Sequence, residues 1–255
     1  MSDKQQQDLP KPARQMQRGI YLLPNLLTTS ALFSGFYSIV AAMKGVYDAA
    51  AIAIFIAMVA DGLDGRVARM TNTQSLFGAQ YDSLSDVVAF GVAPALVVYS
   101  WSLHYLGKIG WLAAFLFTAT VALRLARFNA QSEEVDKRYF QGLPCPSGAG
   151  LIASIVWMGS AYEIDGLYAA IPVAAIAVIV AALMVSTIRY SSFKTVDFKG
   201  HVPFFTIVLA VFLIAGVAMQ PPEILFLIFF CYMVSGPVMT VWQLHRIRRQ
   251  RNVRH

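Results

Sequence analysis

Residues 59–95, VADGLDGRVARMTNTQSLFGAQYDSLSDVVAFGVAPA, place four carboxylates between two apolar runs that predict membrane helices: Asp61, Asp64, Asp82 and Asp86. A charged side chain at the centre of a bilayer costs roughly 2.5–3.5 kcal/mol on insertion scales, so four would cost on the order of 10 kcal/mol without a neutralising partner. Divalent cations are the partners that such a cluster predicts.

The helical period places each pair of aspartates on a shared face. An α-helix turns by about 100° per residue, so Asp61 and Asp64 lie about 60° apart, and Asp82 and Asp86 about 40° apart. The acidic faces also carry residues with almost no side chain, which let a helix or a flat ligand approach the backbone: Gly65, Ala68 and Gly78. Oxygen-only ligands favour Mg²⁺ or Mn²⁺, and two facing carboxylate pairs predict a two-metal site of the kind that clamps phosphoryl groups.

The composition places this cluster in a membrane protein. Of 255 residues, 57% are hydrophobic and only 13% are charged, and the mean hydropathy of +0.58 is too high for one soluble domain. The net charge of +6 would indicate a nucleic acid partner in a soluble protein. Its distribution along this chain explains it better, so no nucleic acid is expected. Cys145 and Cys231 have no CxxC or metal-binding spacing and predict neither a disulfide framework nor a zinc site.

The hydropathy pattern predicts an all-α bundle of about eight transmembrane helices. They form one domain, 20–245, between an N-terminal arm, 1–19, and a basic tail, 246–255. The connection from about 130 to 144 is predicted to be a solvated loop. The predicted spans are about 20–43, 49–70, 76–102, 108–129, 145–162, 167–189, 203–219 and 223–245.

The positions of Lys and Arg test this layout. Of the 20 residues, 18 fall toward the end of the spans at which both termini lie, and only Lys44 and Lys108 fall at the opposite end. Under the positive-inside rule both termini are cytoplasmic, and the aspartate cluster opens to the same side. We expect the bacterial inner (plasma) membrane, with the cluster facing the cytoplasm and accessible to both a lipid and a water-soluble substrate.

The spacing of these residues resembles the signature of the CDP-alcohol phosphotransferase family, complete at all eight positions. The signature runs Asp61, two residues, Asp64, Gly65, two residues, Ala68, Arg69, eight residues, Gly78, three residues, Asp82, three residues, Asp86. The helix layout is similar to that of the family over most of the chain. A cation transporter with an aspartate ion site is the alternative from a different class. It does not require the small residues or Arg69, and it needs polar groups near the opposite face, where the spans carry no acid or base.

The resemblance implies attack of an alcohol hydroxyl on the lipid-side phosphorus of a CDP-linked donor, with release of CMP. Asp61, Asp64 and Asp82 would hold divalent metal, Mg²⁺ or Mn²⁺, as a pair of ions. Asp86 would complete the metal site and take the hydroxyl proton. The remaining signature residues and two polar residues of the first helix would bind the nucleotide donor: Gly65, Ala68, Arg69, Gly78, Asn25 and Thr28.

Two further stretches bear on the acceptor alcohol. ALRLARFNA, 122–130, and YFQGLPCPSGAG, 139–150, are similar to elements of the phosphatidylserine synthase branch of the family. That likeness implies CDP-diacylglycerol and L-serine as substrates and phosphatidylserine and CMP as products. Arg124 and Arg127, one turn apart, would meet the donor phosphates or the serine carboxylate, unless they serve only to set topology.

Two other expectations come from the family. The resemblance implies a homodimer among membrane lipids. The alternative acceptors within the family are glycerol 3-phosphate or an inositol phosphate. Such a dianionic acceptor should need a basic pocket, for which Arg189, Lys194 and Lys199 are candidates.

Overall fold

The computed structural model describes residues 22–130, 139–191 and 204–252. Within these ranges the chain forms eight continuous helices, if Leu76–Trp101 is counted as one helix that contains a π-helical segment. The helices are α1 (Leu22–Met43), α2 (Tyr47–Thr71), α3 (Leu76–Trp101), α4 (Lys108–Ala130), α5 (Cys145–Ala161), α6 (Gly166–Val185), α7 (Phe204–Met219) and α8 (Pro221–Asn252). The predicted helical architecture is confirmed at this level. The predicted arm, 1–19, lies outside the described residues.

Five of the described helices are long and apolar enough to cross a membrane. They are Leu23–Met43, Leu76–Trp101, Lys108–Ala130, Gly166–Val185 and Pro221–Trp242. The 25-residue α2 carries several charges in its second half, and α5 and α7 have 17 and 16 residues. The chain is an integral membrane protein by these helices. The count of eight spans and the cytoplasmic termini stay predictions.

Two regions differ from the sequence prediction. The sixth span, predicted to reach residue 189, ends at Val185, because Ser186 is extended and its hydroxyl accepts a hydrogen bond from the Ile188 amide at 3.3 Å. Arg189–Ser191 (β2) then pairs antiparallel with Tyr139–Gln141 (β1), which was predicted as loop. Backbone hydrogen bonds between two segments far apart in sequence leave no periodic pattern, so the sequence did not predict this strand pair.

The C-terminal helix also extends further than predicted. α8 runs without interruption to Asn252, beyond the predicted domain end at 245, so the basic tail begins as helix. At 1.5 Å per residue, its 32 residues span about 48 Å. A bilayer core is about 30 Å thick, so part of α8 must extend past it.

Small residues bring α1, α2 and α3 together. Ala42 of α1 and Ala50 and Ala57 of α2 are almost completely buried, and α1 packs along α2. Gly35 of α1 faces Ala89 of α3 so closely that a Cβ on the glycine would lie 2.7 Å from the Ala89 Cα. Because lipid tails are as apolar as the helices, close backbone approach of this kind is what holds membrane helices together.

The middle of α3 is a π-helical segment, Val87–Val92. The amide of Ala93 bonds the carbonyl of Val88, five residues back, instead of the residue four back. Pro94 gives the reason, because proline has no N–H and its ring clashes with the carbonyl four residues earlier in a regular α-helix. The segment begins directly after Asp86, and π turns often occur at functional sites.

Helix α5 is mostly buried and lies between α2 and α8. Helix α4 packs on α6, and α7 packs on α8. α5 begins in the stretch 142–150, where Gly148 faces Met184 of α6 and Gly150 faces the ring of Phe229 of α8. The glycines in this stretch therefore allow α5 to sit close to two neighbours. One end of the bundle collects the start of α1, the end of α2, the start of α3, the end of α4 and the β1–β2 pair.

Candidate active site

The carboxylates of α2 and α3 meet at this end of the bundle. One ligand atom from each of Asp61, Asp64 and Asp82 lies within 4.8 Å of the other two. Asp64 is buried and the other two are half-buried. The structure therefore brings together residues from two helices that the sequence could only place on two separate faces.

A tight connection between α2 and α3 makes this possible. Asn72 ends α2 in the left-handed conformation, with φ of 51° and its amide bonded to Ala68 and Arg69 carbonyls. Ser75 then caps α3, because its hydroxyl accepts a hydrogen bond from the Gly78 amide at 3.0 Å. The chain reverses within a few residues, so the two acidic faces become antiparallel neighbours.

Asp86 joins the cluster through Asp61. Their side chains are hydrogen-bonded, and Asp86 also lies within electrostatic range of Asp82 and Asp64. It is the last residue of α3 before the π-helical segment. Four carboxylates at this spacing repel one another, so the arrangement requires positive charge to bring all four to the ionised state.

The donor atoms fit a hard divalent cation. All of them are carboxylate oxygens, which Mg²⁺ and Mn²⁺ prefer. The Oδ1 atom of Asp82 is buried without a hydrogen-bond partner. An unsatisfied buried acceptor costs roughly 1–3 kcal/mol, and more if it is charged. Coordination of a cation by this oxygen would offset that cost. The residues present therefore fit the expected metal.

A threonine of α1 donates a hydrogen bond to Asp64. The Thr28 hydroxyl donates a hydrogen bond to Asp64 Oδ2 at 2.6 Å and lies 3.1 Å from the Pro24 carbonyl. The Ser85 hydroxyl of α3 donates in turn to the Thr28 carbonyl at 3.1 Å. Thr28, Asp64 and Ser85 are 4%, 5% and 2% exposed, so these hydrogen bonds form away from solvent.

The predicted donor-binding residues form two neighbouring groups. A Cβ on Gly78 would lie 3.5 Å from the Asn25 Oδ1 atom, and a Cβ on Gly65 would lie 3.4 Å from the Arg69 guanidinium. Arg69 is exposed, and Ala68 is half-buried on the same helix. Both glycines lie beside polar side chains at the edge of the cluster, and their contact with a nucleotide stays a prediction.

The structure separates the two predicted arginines. Arg124 lies partly buried, with Nη1 donating to the Cys145 Sγ atom at 3.3 Å and a buried Nε that has no hydrogen-bond partner. Cys145 is within electrostatic range of Asp86 as well as Arg124. Arg127 is exposed and donates to the Gln141 Oε1 atom of β1 at 2.8 Å. Arg124 thus contacts a cysteine that lies within electrostatic range of Asp86. Arg127 joins α4 to β1.

Sequence reasoning did not single out Ser85, Asn129 or Cys145 as members of this region. Asn129, at the end of α4, donates to the Ser83 hydroxyl beside Asp82 at 3.0 Å. Asn129 belongs to the stretch 122–130, whose likeness to a family element was a usable signal, whereas Cys145 stands at a variable position of the stretch 139–150. Nothing in the sequence marks Ser85, because its partner is a backbone carbonyl on another helix.

Comparison with known proteins agrees with this geometry. The family described as CDP-alcohol phosphatidyltransferase matches residues 21–188. The chain is 38% identical to the CDP-diacylglycerol–serine O-phosphatidyltransferase of Helicobacter pylori (strain J99) over 234 residues, 91% of this chain and 97% of that protein. It is 33% identical to the enzyme of the same name from Mycobacterium leprae over 237 residues, 89% of this chain and 77% of that protein.

An archaeal relative extends the comparison. The archaetidylserine synthase of Methanothermobacter thermautotrophicus is 38% identical over 170 residues, 66% of this chain and 69% of that protein. The resemblance drawn from the aspartate signature is therefore confirmed. The chain belongs to the CDP-alcohol phosphatidyltransferase family.

Proposed function

We propose that this protein is a membrane transferase of phospholipid biosynthesis that moves a phosphatidyl group from CDP-diacylglycerol to L-serine, giving phosphatidylserine and CMP. The observation that carries the proposal is the cluster of Asp61, Asp64 and Asp82 with Asp86 hydrogen-bonded beside it. The names of the relatives, which cover nearly the whole chain, supply the donor and the acceptor.

Asp61, Asp64 and Asp82 are the residues that would hold divalent metal, Mg²⁺ or Mn²⁺, with Asp86 completing the site. When bound, the metal supplies positive charge that neutralises the donor pyrophosphate. The protein itself has little covalent work in such a transfer, and its task is to position the groups. Two ions, as the sequence predicts, agree with four carboxylates from two helices.

The reaction exchanges one phosphorus–oxygen bond for another. The serine hydroxyl oxygen forms a bond to the phosphorus that carries the diacylglycerol, and the bond from that phosphorus to the CMP oxygen breaks. The electron pair of the broken bond leaves with CMP. Asp86 accepts the hydroxyl proton as the new bond forms, because a serine hydroxyl is a poor nucleophile at neutral pH.

The donor and acceptor have different neighbours in this proposal. Asn25, Gly65, Gly78 and Arg69 border the side of the cluster assigned to the nucleotide, as do Ala68 and Thr28 in the sequence prediction. Arg124 is assigned to the acceptor side. Its guanidinium offers a buried, unpartnered Nε and contacts Cys145, which lies within electrostatic range of Asp86. Such a cation suits the carboxylate of serine or a phosphate of the donor. Arg127, bonded to Gln141, is assigned no substrate.

A dianionic acceptor would need a basic pocket, for which the sequence offers three candidates. Of the three candidates, Arg189 lies in β2, while Lys194 and Lys199 lie outside the described residues. Glycerol 3-phosphate and inositol phosphate stay the alternative acceptors, and the assay below distinguishes them from serine. The homodimer, the inner membrane, the cytoplasmic orientation and the division into 1–19, 20–245 and 246–255 remain parts of the proposal.

The test is an assay of the purified protein with CDP-diacylglycerol, Mn²⁺ or Mg²⁺, and a panel of labelled alcohols. We expect label from L-serine in phosphatidylserine, with one CMP released per product. Removing the metal with EDTA should stop the reaction. An Asp86→Asn variant prepared in parallel controls for contaminating activity. Faster turnover with glycerol 3-phosphate or an inositol phosphate would contradict the proposed acceptor.

A further inference from the structure

Two hydroxyl groups outside the carboxylate cluster join the three helices around it. Thr28 of α1 donates to Asp64 of α2 at 2.6 Å, and Ser85 of α3 donates to the Thr28 carbonyl at 3.1 Å. We refer to Ser85, Thr28 and Asp64 as the hydroxyl relay. We propose that Thr28 and Ser85 are positioning residues that fix the Asp64 carboxylate for metal binding, a role that rests on the proposed function.

The geometry makes Asp64 the preferred partner of the Thr28 hydroxyl. That hydroxyl has one proton and two acceptors nearby, Asp64 Oδ2 at 2.6 Å and the Pro24 carbonyl at 3.1 Å. A hydrogen bond to an ionised acceptor is shorter and roughly twice as strong as one between neutral groups. Thr28 therefore restrains the rotation of the Asp64 carboxylate instead of merely completing the hydrogen bonding of its own helix.

Ser85 acts on the same group from the third helix. It lies between Asp82 and Asp86 in sequence, and it is buried against α1 with its hydroxyl on the Thr28 carbonyl. The bond fixes the depth of Thr28 relative to α3, which carries two of the four carboxylates. A shift of α1 along α3 would thus move the Thr28 hydroxyl away from Asp64. The relay links metal ligands on two helices through a residue on a third.

The side chains of the hydroxyl relay are shielded from water. All three side chains are at most 5% exposed, so water cannot replace a lost partner without entering the bundle. Hydrogen-bond partners of metal ligands orient those ligands, and their loss typically costs about 10–100-fold in metal affinity or activity. The relay predicts that Thr28 sets metal affinity before any donor has bound. A nucleotide contact by Thr28 would instead affect the donor alone.

The test measures Mn²⁺ binding by electron paramagnetic resonance on the purified full-length protein without substrates. Thr28→Val removes the hydroxyl and keeps the shape, so we expect the dissociation constant for Mn²⁺ to rise about 10–100-fold. Thr28→Ser keeps the hydroxyl and should restore most of the affinity. Ser85→Ala acts through Thr28 and should weaken Mn²⁺ binding in the same direction by a smaller factor.

Thr120→Val is the matched control. Thr120 is also a buried threonine, 6% exposed, and its hydroxyl bonds the carbonyl of Phe117 within its own helix, α4, at 2.8 Å. Its substitution should leave the Mn²⁺ affinity unchanged. Thermal unfolding of every variant, compared with that of Thr120→Val, separates a local effect on the metal site from general loss of structure.

Four outcomes decide the inference. Weaker Mn²⁺ binding in Thr28→Val that Thr28→Ser restores supports it. Unchanged Mn²⁺ binding in a folded Thr28→Val protein overturns it, as does a higher KM for CDP-diacylglycerol with no change in metal affinity. Equal loss in Thr28→Ser and Thr28→Val would also overturn it. If the relay controls Mn²⁺ binding but another alcohol is preferred over serine, only the proposed acceptor fails.

Discussion

Two of the four aspartates touch each other yet are assigned different tasks. Asp61 shares its ligand cluster with Asp64 and Asp82, and Asp86 is hydrogen-bonded to Asp61. The signature alone predicted which carboxylates share a helix face, because their spacing follows the helical period. It could not predict the hydrogen bond from Thr28 to Asp64, since those residues lie 36 positions apart and meet only when α1 packs on α2.

Asp86→Asn should abolish most turnover and leave metal and donor binding largely intact. Asparagine is nearly isosteric but cannot accept the serine proton, and general base catalysis typically contributes about 10²–10⁴-fold. Asp61→Asn should instead weaken metal affinity, with partial rescue by excess Mn²⁺. The measurement is a metal titration of single-turnover CMP release in each variant. Full rescue of Asp86→Asn by metal would make Asp86 a ligand only.

Arg124→Gln should raise the KM for serine more than the KM for CDP-diacylglycerol. The substitution removes the cation whose Nε is buried without a hydrogen-bond partner and whose contact Cys145 lies within electrostatic range of Asp86. A hydrogen bond to a charged group is worth roughly 1.5–3 kcal/mol, or on the order of 10–100-fold in affinity. Steady-state kinetics with each substrate varied in turn provide the measurement.

Arg127→Gln is the control for that prediction. It removes an arginine from the same helix end, but one that is exposed and bonded to Gln141. We expect little change in either KM. A higher KM for CDP-diacylglycerol alone in Arg124→Gln would assign Arg124 to the donor phosphates. Normal values for both substrates would remove it from the site.

At the scale of elements, the hydropathy pattern predicted each described helix with boundaries close to those observed. Helix ends set by a single residue were harder. The sixth span was predicted four residues too long, at 189 instead of Val185, because neither proline nor glycine marks the end of this helix in the sequence. The β1–β2 pair and the continuation of α8 to Asn252 were not predicted. Both depend on contacts or local geometry that carry no periodic signal.

Gly142→Ala should destabilise the protein. Gly142 joins β1 to α5 with φ of +77°, and a Cβ there would lie 2.2 Å from the carbonyl oxygen of Met184. Its amide also bonds the Ile188 carbonyl at 2.9 Å, so the backbone cannot easily move away. A strained left-handed residue alone costs about 1–3 kcal/mol, and the close contact adds to that. Thermal unfolding of the purified protein in detergent measures the effect.

Gly216→Ala offers the contrast for that experiment. Gly216 lies within α7, and a Cβ there would make an ordinary contact at 3.6 Å with Ile224. Alanine in a helix interior is favoured over glycine by about 0.5–1 kcal/mol, so stability should be unchanged or slightly higher. If Gly142→Ala unfolded at the same temperature as Gly216→Ala, the tight turn before α5 would not matter for stability.

At the scale of the whole molecule, the two ends of the bundle differ in character. The end with the aspartates also holds the paired hydroxyls, Arg124 and the β1–β2 pair. The opposite end is closed by apolar packing, where Trp101 lies against Gly159 and Gly166. Charge along the sequence predicted which end faces the cytoplasm, whereas the packing of the opposite end followed only from the structure.

Single cysteines should report this orientation. Cysteines placed in 130–144 should be protected from an impermeant external thiol reagent in intact cells, and cysteines near Gly107 or Asp165 should react. The chain has a buried Cys145 and an exposed Cys231, so a Cys231→Ser background removes the accessible native thiol. Permeabilised cells control for reactivity. Labelling of the 130–144 group in intact cells would reverse the topology.

The π-helical segment Val87–Val92 sets the rotational phase of one half of α3 against the other. The half before this segment points Asp82 and Asp86 at the carboxylate cluster, and the half after it presents Trp101 to α5 and α6. Pro94 itself disfavours a regular α-helical turn at this point. The rotation of one half of α3 relative to the other therefore does not depend on packing alone. A single proline therefore allows one helix to satisfy two unrelated sets of neighbours.

The Pro94→Ala substitution would remove that constraint, so that both halves of α3 could join in one regular α-helix. Proline is about 3 kcal/mol worse than alanine inside an ordinary helix, so the exchange should favour a continuous α-helix. We expect lower turnover, because the regular helix would rotate Asp82 and Asp86 away from Asp61 and Asp64. Thermal stability should change little. A variant that is more stable and fully active would mean that the neighbouring helices impose the offset without the proline.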